Sequence, residues 1–185
     1  MSHRCYQPGE PSARQPPSPP GDQLSAYDPR WPRIFAAERQ RIRAALGPLA
    51  LGVEHVGSSA IPGLWGRSEI DVLVGVGGGD VRTATRLLTA IGYVIEDRAP
   101  PEAEPWSLLS RRGQIPFELL LVEHHGPLWR RHLWLRDYLR RDPARAIAYG
   151  RLKSGWAARY GAGTRGYKQA KRRFWGAVQE PGDRS

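Results

Sequence analysis

Glu69 and Asp71 stand two residues apart in the run Glu69-Ile70-Asp71-Val72-Leu73-Val74. In an extended strand, residues i and i+2 share a face, so both carboxylates point one way and Ile70, Val72 and Val74 the other. Two acids on one face of an otherwise apolar strand suit a divalent cation, because hard cations take oxygen ligands. Just upstream lies the small-residue turn Gly57-Ser58-Ser59, whose backbone N–H groups and hydroxyls could approach a phosphate. The plainer alternative is a half-buried strand with two solvated acids behind an ordinary loop.

Four further residues could join this chemistry. Glu54 and His55 precede the turn, near enough in sequence to reach the same site, although such a pair equally makes a structural hydrogen bond. Arg67 lies two residues before Glu69 and can meet either a phosphate or Glu69 itself. Glu118 interrupts the apolar run Phe117-Leu119-Leu120-Leu121-Val122. A charge inside such a run is seldom free, so it faces either solvent at a sheet edge or the cleft of Glu69 and Asp71. The adjacent His124 and His125 read as a turn, since neighbouring strand residues face opposite ways and cannot share a metal.

The elements that must position these residues follow from periodicity and punctuation. A helix is predicted over Pro32–Leu46, with Asp28 as its cap and Ile34, Phe35, Ile42, Ala45 and Leu46 on one stripe. Ala50–Val56 reads as a strand. Gly75–Gly79 reads as a flexible exit from the acidic strand, because it lacks the spacing of a P-loop and of G-x-G-x-x-G. Asp80 then caps a helix over Val81–Ile91, with Ala84, Leu87, Leu88 and Ile91 inward. A short strand over Tyr93–Glu96 and a hairpin of Trp106–Ser110 with Phe117–Val122 come next. Three helices close the chain over 128–140, 143–160 and 164–178. Tyr149, Leu152, Trp156 and Tyr160 mark the packing stripe of the middle one, and Lys153, Lys168, Lys171, Arg172 and Arg173 mark basic faces. This order predicts an α+β fold: a mixed β-sheet with flanking helices and a C-terminal basic helical segment.

Length and composition set the frame. The 185 residues are 40% hydrophobic, enough for one domain with a packed core. We place that domain at 25–180, with its core at 25–125 and a helical part at 126–180, behind a disordered Pro-rich tail at 1–24. Cys5 is the only cysteine, which excludes an intrachain disulfide and a Cys-rich zinc site. No apolar run reaches the ~18–20 residues of a membrane span, and no apolar leader is visible, so a cytoplasmic protein without a membrane partner is expected. The formal charge of +10 is localised: over 129–178, 14 lysines and arginines meet only Asp137 and Asp142. A basic half implies a polyanionic partner: a nucleotide or other anionic small molecule, or RNA. The alternative is Arg-rich decoration of solvated helix faces.

A Gly-Ser turn followed by a strand of pattern E-h-D-h resembles the signature of the nucleotidyltransferase (polymerase-beta-like) superfamily. More closely, the chain resembles the GrpB family. The resemblance rests on Tyr27-Asp28-Pro29-x-Trp31-Pro32-x-x-Phe35, on Glu54-His55-Val56-Gly57-Ser58-Ser59-Ala60-Ile61-Pro62-Gly63-Leu64, on Ile70-Asp71-Val72, and on Arg136-Asp137-Tyr138-Leu139. Tyr149-x-x-Leu152-Lys153 and Tyr167-x-x-x-Lys171-x-x-Phe174 extend it to about residue 178. Membership implies a nucleotidyltransferase-like fold but no settled reaction. The chain departs from the family pattern at Arg67-Ser68, where Lys-Pro is usual, and at Glu69, where an aliphatic residue is usual. Glu118 and Leu120 stand where a His-x-His commonly sits, which puts in doubt any function that uses those histidines. The two gained acids complete the three-carboxylate set of the superfamily.

Three functions are then in competition. In a metal-dependent nucleotidyltransferase, Glu69, Asp71 and Glu118 would hold Mg²⁺, and Gly57, Ser58 and Ser59 would contact the phosphates of an NTP. Arg67, Lys153 and Lys171 would neutralise phosphate charge. In an acid/base enzyme acting on an anionic metabolite, Glu118, Glu69 or His55 would move the proton. In a non-catalytic RNA- or nucleotide-binding protein, Trp129, Trp134 and Tyr138 would stack bases beside the basic helices.

Overall fold

The computed structural model describes residues 24–100, 103 and 105–178. The expected tail, including Cys5, lies outside the described residues except for its last position. Leu24 is buried against Ala157 and Tyr167, and Ser25 makes an isolated antiparallel bridge to Gly66. The packed chain therefore includes Leu24, one residue before the expected boundary.

Helix α1 (Trp31–Leu46) buries Trp31, Phe35, Ile42 and Leu46, largely the predicted stripe. It also buries Glu38, which periodicity does not anticipate: Tyr93 Oη donates to Glu38 Oε1 at 2.9 Å, and Arg111 pairs with Oε2 at 2.5 Å. Asp28 does not cap this helix. Its carboxylate accepts the Arg30 backbone N–H at 2.8 Å and pairs with the Arg30 side chain.

Five strands follow: β1 (Gly52–Val56), β2 (Ile70–Val76), β3 (Val94–Arg98), β4 (Trp106–Arg111) and β5 (Phe117–Glu123), with helix α2 (Val81–Ala90) between β2 and β3. They form one sheet in the order β1-β2-β5-β4-β3. β2 and β5 are parallel, and the other neighbours are antiparallel. The sheet is mixed, as the order of elements predicted. Gly75 and Val76 belong to β2 rather than to a flexible exit. Asp80 precedes α2 without a side-chain capping bond. Leu87 is 37% exposed, and Val81 and Thr85 are buried in its stead.

Helices cover both faces of the sheet. On one face Trp31, Phe35 and Ile42 of α1 and Leu88 of α2 pack on Val53, Ile70, Val72 and Val74. On the other, Trp129 of α3 (Pro127–Arg140) packs on Val56, Leu73 and Val122. Helix α4 (Pro143–Tyr160) starts at Asp142, whose carboxylate accepts the Ala144 N–H at 2.9 Å. Helix α5 (Arg165–Ala177) starts at Thr164. The stripe of α4 differs from expectation. Leu152 and Tyr160 are 41% and 40% exposed, and the buried residues include Ala146, Tyr149, Gly150, Lys153 and Ala157. The face is set by Lys153, which is drawn inward by two oxygen acceptors described below. No helix among the described residues is long and apolar enough to cross a membrane.

The turn after β1 is built on two constraints. Gly57 has φ of +68°, and a Cβ there would collide with the Asp71 carboxylate. The turn can therefore lie on β2 only because this residue lacks a side chain. Below it, Ser59 Oγ lies 3.0 Å from His55 Nε2 and accepts the Asp71 N–H at 3.4 Å. His55 stacks on Phe35 with ring centroids 4.6 Å apart. Burial, with Arg140 and Arg136 nearby, lowers its pKa to about 4.

Two predictions follow from this packing. Gly57→Ala is expected to lower stability by about 1–3 kcal/mol, through positive φ and the clash with Asp71, as read by chemical denaturation. His55 folds neutral and is protonated more readily when unfolded. Its contribution is fully present above about pH 6.5 and is lost as pH falls towards 4. The stability advantage of the wild type over His55→Gln should shrink across that window; an advantage constant with pH would contradict the assignment.

Candidate active site

The parallel register of β2 and β5 places Asp71 opposite Glu118. Side chains in register on adjacent strands share a face, so these two carboxylates are neighbours although 47 positions separate them in sequence. Glu69, immediately before β2, turns towards them. One oxygen from each of Glu69, Asp71 and Glu118 lies within 4.8 Å of the others. The cleft is thus the setting of Glu118, not a solvent-facing edge.

These carboxyls are held against their own charge. The Glu69 pKa is raised first by burial and then by Asp71, with Arg67 opposing. The Asp71 pKa is raised first by burial and then by Glu118. Arg67 answers part of this charge: its guanidinium pairs with Glu69 and lies 3.7 Å from Glu118. Of the two partners open to Arg67 from the sequence, it takes the acids. The donor set, three clustered carboxylates with all-oxygen ligand atoms, fits a hard divalent cation such as Mg²⁺.

A cavity of about 570 Å³ opens over the acids, between the sheet and α3 to α5. Gly57, Ser58, Asp71 and Glu118 line its floor, and Arg136, Lys171 and Arg172 its wall. Lys171 therefore reaches the site as the sequence anticipated. Lys153 reaches it differently. It is 2% exposed rather than on a basic face, and its Nζ donates to Ser58 Oγ and, at 2.7 Å, to the Trp65 carbonyl. Burial, reinforced by Lys171 and opposed by Asp71, lowers its pKa to about 7.

Other expected residues stand aside. Ser59 is 1% exposed and tied to His55 and to the β2 backbone, so its hydroxyl faces away from a phosphate. His55 pairs in register with Val72 and stacks on Phe35, which puts it on the α1 face of the sheet, opposite the acids. An acid/base role for His55 at these carboxylates is thereby removed. Glu54 is on the acidic face but is held by Arg136 at 2.8 Å. Trp129 is in the core, and Trp134 stacks on Tyr138 at 5.1 Å, so Trp129 offers no exposed stacking face. His124 and His125 pack against each other with tilted rings, centroids 3.8 Å apart, and line no part of the cavity. Sequence reasoning missed His132 and Trp175, which also line the cavity. Both follow a helical i, i+4 spacing with a neighbour in the lining (His132 with Arg136, Trp175 with Lys171), a signal that needs the cavity to be known first.

A UPF0157 protein of Deinococcus radiodurans is 39% identical over 139 residues, covering 75% of this chain and 71% of that protein. The chain spans only 66% and 60% of two further bacterial relatives. The crystal structure of the conserved protein GrpB from Enterococcus faecalis superposes with a TM-score of 0.67 at 27% identity, covering 82% of this chain and 99% of that one. The Cid1 poly(U) polymerase with MgGTP bound superposes with a TM-score of 0.52 at 15% identity, over 78% of this chain and 50% of Cid1. At that identity the likeness is one of fold, and the fold is that of nucleotidyltransferases. The family model described as GrpB protein matches residues 23–180, and the chain belongs to the GrpB family.

Proposed function

We propose that this chain is a metal-dependent nucleotidyltransferase, moving a nucleotidyl group from an NTP to an acceptor. The observation that carries the reading is the convergence of Glu69, Asp71 and Glu118 within 4.8 Å beside the Gly57-Ser58 turn. Its context is a fold shared with the Cid1 polymerase, whose structure holds MgGTP.

In this reading Glu69, Asp71 and Glu118 hold Mg²⁺. The ion supplies charge neutralisation to the phosphates when bound. Gly57 and Ser58 at the turn would meet the β- and γ-phosphates, and Lys171, which lines the same cavity, would neutralise their charge. Lys153 is a positioning residue: it fixes the Ser58 hydroxyl and anchors α4 to the turn. Arg67, paired with Glu69 and near Glu118, would be placed to meet phosphate charge once a cation neutralised those acids. In the transfer, an acceptor oxygen attacks the α-phosphorus. The bond from that oxygen to phosphorus forms, the bond to the bridging oxygen breaks, and pyrophosphate departs. The proton of an acceptor hydroxyl passes to Glu118.

Three measurements test this. The protein should release pyrophosphate from an NTP with Mg²⁺, and Asp71→Asn should reduce release by 10²-fold or more; an intact Asp71→Asn protein with unchanged release contradicts the reading. Mg²⁺ should raise the melting temperature more at pH 8 than at pH 5.5. Glu69 and Asp71, with raised pKa in the folded protein, hold protons that a cation would displace, so without the ion the fold loses stability as pH rises from about 4 upward, and Mg²⁺ would restore it. Lys153→Met should weaken Mg²⁺-NTP binding about tenfold while leaving Mg²⁺ binding alone unchanged, as read by calorimetry.

A further inference from the structure

The remaining walls of the cavity bear on which nucleotide the proposed site accepts. Away from the acids and the Gly57-Ser58 turn, the lining includes Leu108 and Leu120 from the sheet, Leu135 and Leu139 from α3, and Trp175 from α5. Leu120 and Leu108 are register partners on β5 and β4, so they form an apolar row beside the acidic one.

Apart from His132, the side chains able to read a base edge in this lining are engaged or are cations. Arg136 donates to Glu54 at 2.8 Å, to the His55 carbonyl at 3.3 Å and to Asp137. Arg131 donates to the Trp175 and Val178 carbonyls, joining α3 to the end of α5. Trp175 Nε1 donates to Tyr149 Oη at 2.9 Å. Among the described residues, Lys171 and Arg172 have no ion pair, and both are exposed at the cavity wall, where their charge matches phosphate. His132 offers one donor and one acceptor, facing Lys171 and Arg131. No asparagine or glutamine lines the cavity among the described residues. The side-chain amides that pair bidentately with adenine are therefore missing, and of the arginines that could read guanine, Arg131 and Arg136 are held by carbonyls and carboxylates.

We infer that the pocket holds a nucleoside triphosphate by its phosphates and by packing the base on apolar and aromatic side chains, without selecting among the four bases. This rests on the nucleotidyltransferase reading above and adds its substrate range. The physical reason is an asymmetry in discrimination. A site that hydrogen-bonds a substrate group rejects analogues lacking it by orders of magnitude, whereas an apolar slot separates similar shapes weakly. Stacking on an aromatic ring is tolerant because every base has a π-face.

The test is calorimetric titration of the full chain, in Mg²⁺, with the α,β-methylene analogues of ATP, GTP, CTP and UTP, and with inorganic tripolyphosphate. The four Kd values should agree within about fivefold, tripolyphosphate should compete with each, and Lys171→Ala should weaken all four alike. His132→Ala should leave the ratios among the four unchanged. A preference of tenfold or more for one base overturns the inference while leaving the nucleotidyltransferase reading intact. Ratios that change in His132→Ala, or tripolyphosphate that fails to compete, also overturn it. No binding of any triphosphate with the fold intact overturns both.

Discussion

The mutual repulsion of Glu69, Asp71 and Glu118 is the constraint around which the rest of the site is arranged. At about 4 Å and an effective dielectric of about 20, two like charges repel by roughly 4 kcal/mol. Three ionised carboxylates make three such pairs. One guanidinium, Arg67, close to Glu69 and more distant from Glu118, offsets a fraction of this. A divalent cation contacting all three would offset far more than this one guanidinium does. Burial, reinforced by this repulsion, raises the pKa values of Glu69 and Asp71.

The C-terminal helices take their place from that site. Lys153 joins α4 to Ser58 and Trp65, Arg140 donates to the Ala60 carbonyl at 2.8 Å, and Arg136 spans from α3 to Glu54. Three cations of the basic half therefore tether helices α3 and α4 to β1 and the segment that follows it. Lys171 and Arg172 face the cavity instead. A few cations of this half hold the wall in place or line the cavity, while Arg130, Arg141, Arg151, Arg159, Lys168 and Arg173 among others stay on exposed helix faces. Tyr149, Phe174 and Trp175 fill the space between α4 and α5 and keep the two helices in register.

Local chemistry made part of this legible. The acids two apart, the glycine-serine turn, the hairpin and the helix spans were readable because each depends on neighbours in sequence. Gly57 was visible as a turn residue, but its closeness to Asp71 was not, since that depends on the antiparallel register of β1 and β2. Strand alternation separates Glu54 from His55 but does not say which of them faces the acids; the packing of α1 decides it. Glu118 could have faced solvent until the parallel β2–β5 pairing made β5 a central strand. Lys153 misled for a different reason. A lysine is ordinarily exposed, and only the two oxygens waiting inside make its burial favourable, which rotates the face of α4 away from Leu152. Asp28 and Asp80 had the residue type of caps, yet one is claimed by Arg30 and the other makes no capping bond.

The most direct measurement is anomalous diffraction from crystals soaked with Mn²⁺ and a non-hydrolysable NTP analogue. The account predicts a metal peak bounded by the carboxylates of Glu69, Asp71 and Glu118, with triphosphate density at the Gly57-Ser58 turn and Arg67 released from Glu69. Crystals that show no metal peak at millimolar Mn²⁺, with Arg67 still paired to Glu69, would contradict it.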